Sequence, residues 1–284
     1  MAVDGQAAKS IVLPLASGQV AAFQAIILNY YARHGRDLPW RRTTDPYHIL
    51  VSEVMLQQTQ VARVLTAYPR FMALFPSLRA LAQAQVAEVL AAWQGLGYNR
   101  RALALQCTAQ LIIRDHAGAL PADERLLATM PGIGPATAAS ICAFAFGMPT
   151  VFVETNIRTV FIHFFFLQCE RVTDAEILPL VAATLDHSNP RRWYFALMDY
   201  GAMLKKAIGN ASRRSASYCR QGPFAGSDRQ LRGQLLRLLL GKGEISLATI
   251  ATELRQPEAR VARIAEVLAR EGFVERSDGR LRLR

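Results

Sequence analysis

The stretch Met130 to Arg158, MPGIGPATAASICAFAFGMPTVFVETNIR, decides how the chain is read. Gly132 and Gly134 sit in a tight Pro-Gly-Ile-Gly-Pro turn, and an Ala/Thr-rich helical run opens straight after it over Ala136 to Phe146. Glycine lets the backbone take positive φ and approach a partner closely, and the first amides of a helix have no intrahelical acceptor. A corner of this kind, with Ala136 and Thr137 opening the helix, suits a phosphate. A Gly-x-Gly turn is also an ordinary C-cap and tight corner, so spacing alone leaves both readings open. Further on, Phe152-Val153-Glu154-Thr155-Asn156 sets a carboxylate and an amide after an apolar run that could hold a reactive acid out of bulk water. The plainer reading of Glu154 is a helix cap.

Outward from this stretch the pattern is helical. Gln19 to His34 is an apolar-rich helix ended by Gly35 and Pro39, and further helices are predicted at Ala67 to Phe75, Leu78 to Ala82, Val86 to Gln94, Arg100 to His116 and Asp123 to Ala128. Over Pro46 to Leu65 the spacing of Ile49, Val54, Leu56 and Val61 predicts one helix, with Glu53 and Gln57 on neighbouring turns of one face. Strand-like alternation is almost absent before Gly272, so the fold class is mostly α.

Gly-Pro-Phe-Ala-Gly-Ser at 222–227 breaks the helical pattern and marks a linker between a core at 1–221 and a small module at 228–284. That module shows amphipathic runs at Asp228 to Leu240, Leu247 to Leu254 and Pro257 to Glu271, then alternation around an Asp-Gly turn. Three helices and a terminal hairpin spell a winged helix-turn-helix whose third helix, with Arg260, Arg263 and Arg270, would enter a groove. Such modules also serve only to pack against protein.

The 284 residues carry a formal net charge of +11 and are 51% hydrophobic, which argues a folded chain with a polyanionic partner. No apolar run reaches membrane-spanning length and the start MAVDGQAAKS has no leader pattern, so nucleic acid is expected over membrane, in the cytoplasm at the nucleoid. Cys107, Cys142, Cys169 and Cys219 form no CxxC pair and the five histidines share no ligand spacing, so no metal site is expected.

The hairpin, the acid after it, and the segments Leu38-Pro39-Trp40-Arg41-Arg42, Ser52 to Val61 (SEVMLQQTQV) and Gly95-Leu96-Gly97-Tyr98 together resemble the helix-hairpin-helix DNA glycosylases. Within that superfamily the chain is most similar to the A/G-specific adenine DNA glycosylases. The likeness runs from about Phe23 to about Lys206, and SEVMLQQTQV is far more specific than a Gly-rich turn. It implies a two-lobed core with a cleft between the lobes, the middle helices at about 40–150 in one and the segments at about 19–36 and 151–221 in the other.

A glycosylase extrudes a base from the duplex, then breaks a bond that leaves positive charge on the sugar and negative charge on the base. The resemblance implies that Glu53 protonates the purine, its pKa raised by Val54, Met55 and Leu56. Glu154 then stabilises the sugar cation or guides water, held by Asn156. Trp40 and Arg41 would line the mouth of a base pocket, the alternative being a core tryptophan beside solvated arginines. Gln57 and Gln58 would face the duplex and Tyr98 would wedge into the stack, each against a plain surface or turn-closing role.

Four departures stand out. The superfamily has Asp where this chain has Glu154; its lyase members have Lys where this chain has Ala136, so base removal without strand cleavage is expected. Many relatives carry a four-cysteine iron–sulfur loop after the segment matching Tyr200 to Met203. Only Cys219 stands there, so no cluster is expected, and Lys205, Lys206, Arg213, Arg214 and Arg220 would supply backbone contacts in its place. Nothing resembles the family's 8-oxoguanine-reading C-terminal domain. The expected activity is that of a monomeric, monofunctional glycosylase on double-stranded DNA bearing a mismatched or damaged base, adenine opposite 8-oxoguanine or guanine. Uracil, thymine or hypoxanthine, a non-catalytic lesion binder and a winged-helix regulator are the alternatives.

Overall fold

The computed structural model describes residues 15–284. Its helices in chain order are α1 (Ser17–His34), α2 (Pro46–Leu56), α3 (Val61–Leu74), α4 (Leu78–Gln83), α5 (Val86–Ala92), α6 (Arg100–Asp115), α7 (Glu124–Leu127), α8 (Pro135–Phe146), α9 (Thr155–Phe165), α10 (Asp174–Thr184), α11 (Pro190–Ala207), α12 (Asp228–Lys242), α13 (Leu247–Leu254) and α14 (Glu258–Arg270). Three short strands, β1 (Ile245–Ser246), β2 (Val274–Ser277) and β3 (Arg280–Leu283), come late in the chain. Among the described residues no helix is long and apolar enough to cross a membrane.

The chain divides into two compact units. One comprises residues 15–46, Ala122–Ala128 and Gly134–Arg220; the other comprises Tyr47–Pro121, Thr129–Ile133 and Gln221–Arg284. In the first, Phe23 of α1 meets the rings of Phe161, Phe164, Phe165 and Trp193 at centroid distances of 5.1–5.8 Å, which ties the first helix to α9 and α11. The Phe144 ring of α8 stacks on Phe195 of α11 at 4.6 Å, so α8 groups with α1, α9 and α11. Gly147, at φ +67°, ends α8 in the left-handed conformation that glycine adopts at least cost. Thr173 and Glu176 form a capping box that starts α10.

In the second unit α2 buries residues on all sides, Tyr47, Ile49, Leu50, Val51, Ser52, Val54 and Met55 among them. It ends at Leu56, so the single helix expected over Pro46 to Leu65 is two helices with a turn at Gln57 to Gln60. The apolar spacing continues through that turn, which is why periodicity did not reveal it. The cause lies in another helix: the Arg101 guanidinium of α6 takes up the carbonyls of Val54, Met55 and Gln57 where α2 stops.

The same unit contains the C-terminal module. Its helices α12, α13 and α14 bury Leu231, Leu235, Leu239, Ile250, Val261, Ile264 and Leu268. The strands form an antiparallel sheet in the order β1-β3-β2. Val274 pairs with Leu283 and Ser277 with Arg280 around Asp278-Gly279, whose φ values of +50° and +75° make the tight hairpin corner.

Candidate functional site

Glu53 projects from the apolar helix α2 and is half-buried, between buried Ser52 and Val54. An acid at this depth on a helix otherwise given to the core is a candidate for chemistry. Gln57 lies beyond the helix end, and its Nε2 donates to the carbonyl of Gly132 at 3.0 Å. Glu53 and Gln57 therefore do not share one helical face. Gln58 and Tyr98 are exposed, both with left-handed backbones at φ +52° and +48°. Gln221 joins them: its Nε2 lies 3.4 Å from Gln58 Oε1, and the Tyr98 hydroxyl donates to its Oε1 at 2.9 Å.

At the hairpin, Gly132 has φ +76°, and a Cβ there would fall 2.7 Å from the Cβ of Ala104, so both conformation and crowding demand glycine. Thr108 Oγ1 bonds the Pro131 carbonyl at 2.9 Å and Ile133 is buried, which fixes the corner from behind. Gly134 differs. Its backbone is extended, at φ −86° and ψ 171°, and a Cβ there would meet nothing within 4 Å. The fold itself does not require glycine at Gly134, and the space before it is open. Gly134 is the N-cap of α8, with Pro135 and exposed Ala136 opening the helix and Thr137 half-buried behind them. This end of a helix attracts an anion.

Glu154 is the N-cap of α9. Its Oε1 accepts from the amides of Asn156 at 2.7 Å and Ile157 at 3.0 Å, and Asn156 Nδ2 reaches Oε2 at 3.3 Å. The capping role weighed in the sequence is present, worth about 1 kcal/mol. Oε2, with only the long Asn156 contact, keeps acceptor capacity for a further group. The Asn156 side chain is held in turn by Lys205 Nζ on α11, at 2.7 Å from Oδ1. One turn earlier on α11, a Cβ at Gly201 would collide with the Asn156 carbonyl oxygen, so glycine is what lets the two helices approach. Burial lowers the Lys205 pKa, an effect that Glu154 opposes and Arg158 reinforces.

The structure places the side chains of Trp40 and Arg41 largely inside the protein. Trp40 is 3% exposed, a core residue. The Arg41 guanidinium makes two 2.8 Å bonds to buried Asp199 and lies 4.4 Å from the Phe195 ring centroid, so its bonding is directed into the protein. Burial raises the Asp199 pKa, but its bonds to Arg41 and Arg36 outweigh this and hold the carboxyl below its ordinary range. Arg214 is also spent internally, on the carbonyls of Phe166, Leu167 and Cys169, and Lys205 on Asn156; of the expected basic contacts Lys206, Arg213 and Arg220 remain exposed. In the C-terminal module Arg260 and Arg263 pair with Asp228 at 2.8 Å, which offsets the charge expected of its third helix, while Arg270 stays exposed.

The four cysteines are free thiols. Cys107 belongs to one unit and the other three to the other, and Cys142 is buried inside α8 with its thiol pushed up to about 11 by burial and by Glu124 and Asp123. Among the described residues no three His, Cys, Asp or Glu side chains gather as a metal site would require. Two residues that organise the candidate groups escaped the sequence reading, Arg101 and Gly201. Both left a signal: Arg101 falls on the apolar face of α6 with Leu105, Ala109 and Ile112, and Gly201 interrupts the α11 helix four residues before a lysine.

Relatives give this geometry a family. Residues 51–178 match the HhH-GPD superfamily of base excision DNA repair proteins. The adenine DNA glycosylase of Mycobacterium tuberculosis is 35% identical over 270 residues, covering 85% of this chain and 88% of that protein. That of Mycolicibacterium smegmatis is 35% identical over 277 residues, covering 90% and 94%. Among solved structures, a thermostable thymine-DNA glycosylase is similar with a TM-score of 0.61 at 24% identity, covering 69% of this chain and 92% of that one. A non-covalent endonuclease III–DNA complex is similar with a TM-score of 0.59 at 19% identity, covering 68% and 89%. The fold is thus that of the helix-hairpin-helix glycosylases. The chain belongs to the HhH-GPD superfamily of base excision DNA repair proteins. It is a DNA glycosylase, a hydrolase of N-glycosyl bonds whose substrate is DNA.

Proposed function

We propose that this glycosylase removes adenine paired with 8-oxoguanine or guanine. The observation that carries this reading is the likeness to adenine DNA glycosylases over 85–90% of the chain, well beyond the superfamily segment at 51–178. The hairpin at Gly132 and Gly134 and the start of α8 grip a backbone phosphate, while Gln58 and Tyr98 enter the stack vacated by the extruded base. Glu53 gives a proton to the departing purine as the bond between its N9 and the sugar C1′ breaks. Glu154 faces the cationic sugar through Oε2, and water adds at C1′ to leave an abasic site. Ala136 offers no amine, so no Schiff base forms and the strand stays intact. The reaction needs no iron–sulfur cluster. The enzyme acts as a monomer at the nucleoid, and the C-terminal module, read as a winged helix-turn-helix, adds contacts to DNA.

One feature favours a second reading. Glu154 carries a methylene more than the family Asp and already spends Oε1 on its own helix, which suits a protein that grips lesions without turnover. Single-turnover incubation with duplexes carrying adenine, uracil, thymine or hypoxanthine in mismatches, followed by alkali, separates the two. Cleavage confined to adenine-containing mismatches, and dependent on alkali, is expected. Product from another base would reassign the substrate, and tight mismatch binding without any product would make the protein a lesion binder.

A further inference from the structure

Arg101 is 9% exposed, and among the described residues no carboxylate forms an ion pair with it. Its Nη1 donates to the carbonyls of Val54 at 2.8 Å, Met55 at 2.9 Å and Gln57 at 2.5 Å. Its Nη2 donates to Thr59 Oγ1 at 2.9 Å and to the carbonyls of Leu96 at 3.3 Å and Gly97 at 3.1 Å. One planar cation thus ties together two turns that are far apart in sequence, and the rings of Trp93 and Tyr98 lie 5.4 and 5.5 Å from its centre. Burial brings its pKa down to about 10, and the charge is held there against its desolvation by carbonyl dipoles, the Thr59 hydroxyl and the neighbouring rings. Nε is buried with no acceptor, a further sign that the side chain is placed for its two forked nitrogens.

What the two turns present explains such an investment. The first ends in Gln58 and the second in Tyr98, both exposed and both left-handed, a conformation that a residue with a side chain takes only when its surroundings impose it. Gly95 and Gly97, at φ +89° and +71°, complete the second turn.

We propose that Arg101 is a positioning residue that locks the Gln57–Thr59 turn to the Leu96–Tyr98 turn, so that Gln58 and Tyr98 enter the duplex as one rigid pair. The inference rests on the reading that these two side chains face DNA. Lysine, a single point charge, cannot bridge both turns, and a cation alone does not suffice.

The test places 2-aminopurine, whose fluorescence is quenched by stacking, beside the mismatched base, and reads its gain on binding the full-length protein together with single-turnover base loss. Arg101→Lys is expected to cut the fluorescence gain about fivefold and the rate roughly tenfold or more, as misplaced groups do. Helical circular dichroism and affinity for an undamaged duplex stay within about twofold, because the phosphate contacts lie elsewhere. A fluorescence gain and rate equal to wild type in Arg101→Lys overturn the proposal. Should that variant not fold, Thr59→Val, which removes one acceptor, takes its place: a reduced gain supports the clamp and an unchanged gain overturns it. A wild-type protein that removes no base yet shows an Arg101-dependent gain defeats the adenine-excision reading and leaves this one standing. A wild-type protein with no gain on any mismatch overturns it outright.

Discussion

Glu154 carries two duties on one side chain. Its Oε1 caps α9 while Oε2 keeps the acceptor capacity proposed to serve the sugar, and Asn156, Lys205 and Gly201 hold the arrangement from behind. Aspartate caps a helix as well as glutamate does, so Glu154→Asp is expected to leave stability within about 1 kcal/mol and the single-turnover rate unchanged or faster. Complete loss of product in that variant would show that the longer side chain is required. Gly201→Ala drives a methyl into the Asn156 carbonyl, costs about 1–3 kcal/mol in denaturant unfolding and, by displacing the α9 N-terminus, lowers the rate on the order of a hundredfold. A variant with normal stability and rate would mean that the α9–α11 approach does not set the carboxylate. Glu53, Glu154 and Asn156 could be singled out in the sequence because they stand in segments with a specific pattern. Their supports were not, since a Lys205–Asn156 bond links positions that no local periodicity connects.

At the level of elements, α11 is fastened to the N-terminal segment through Asp199, which takes bonds from the Arg36 backbone, the Arg36 side chain and Arg41. Removing one partner of a buried pair strands the other, so Asp199→Ala is expected to cost about 3–5 kcal/mol in chemical denaturation, and a loss below 1 kcal/mol would contradict the assignment. The pH dependence follows from the lowered carboxyl pKa. Between the folded value and the ordinary 3.8 the unfolded chain binds more protons, so this stabilisation is complete above about 3.8 and is lost as pH falls through the folded value. The Asp199→Ala variant should show a correspondingly shallower acid transition. Most helix positions were legible from apolar spacing. The break after Leu56 and the inward turn of Arg41 were not, because long-range partners, Arg101 in one case and Asp199 in the other, decide them.

Over the whole molecule, a net charge of +11 is set against a polyanionic substrate. Affinity for an undamaged duplex should fall on the order of 10²–10³ between 50 and 200 mM salt if about five phosphates are neutralised, and a flat titration would deny that charge a part in binding. The C-terminal module shares a unit with α2 to α6, through the Arg100–Glu271–Arg232 ion pairs and the bonds of Gln221, an attachment that its linker-like sequence does not disclose. The central claim is that Glu53 supplies the proton that releases the base. Its most direct test is the single-turnover rate of alkali-revealed cleavage on a duplex with adenine opposite 8-oxoguanine, measured for the wild type and for Glu53→Gln. A fall of roughly 10²–10⁴-fold with duplex affinity preserved is the predicted result, and a variant that excises adenine at the wild-type rate would contradict it.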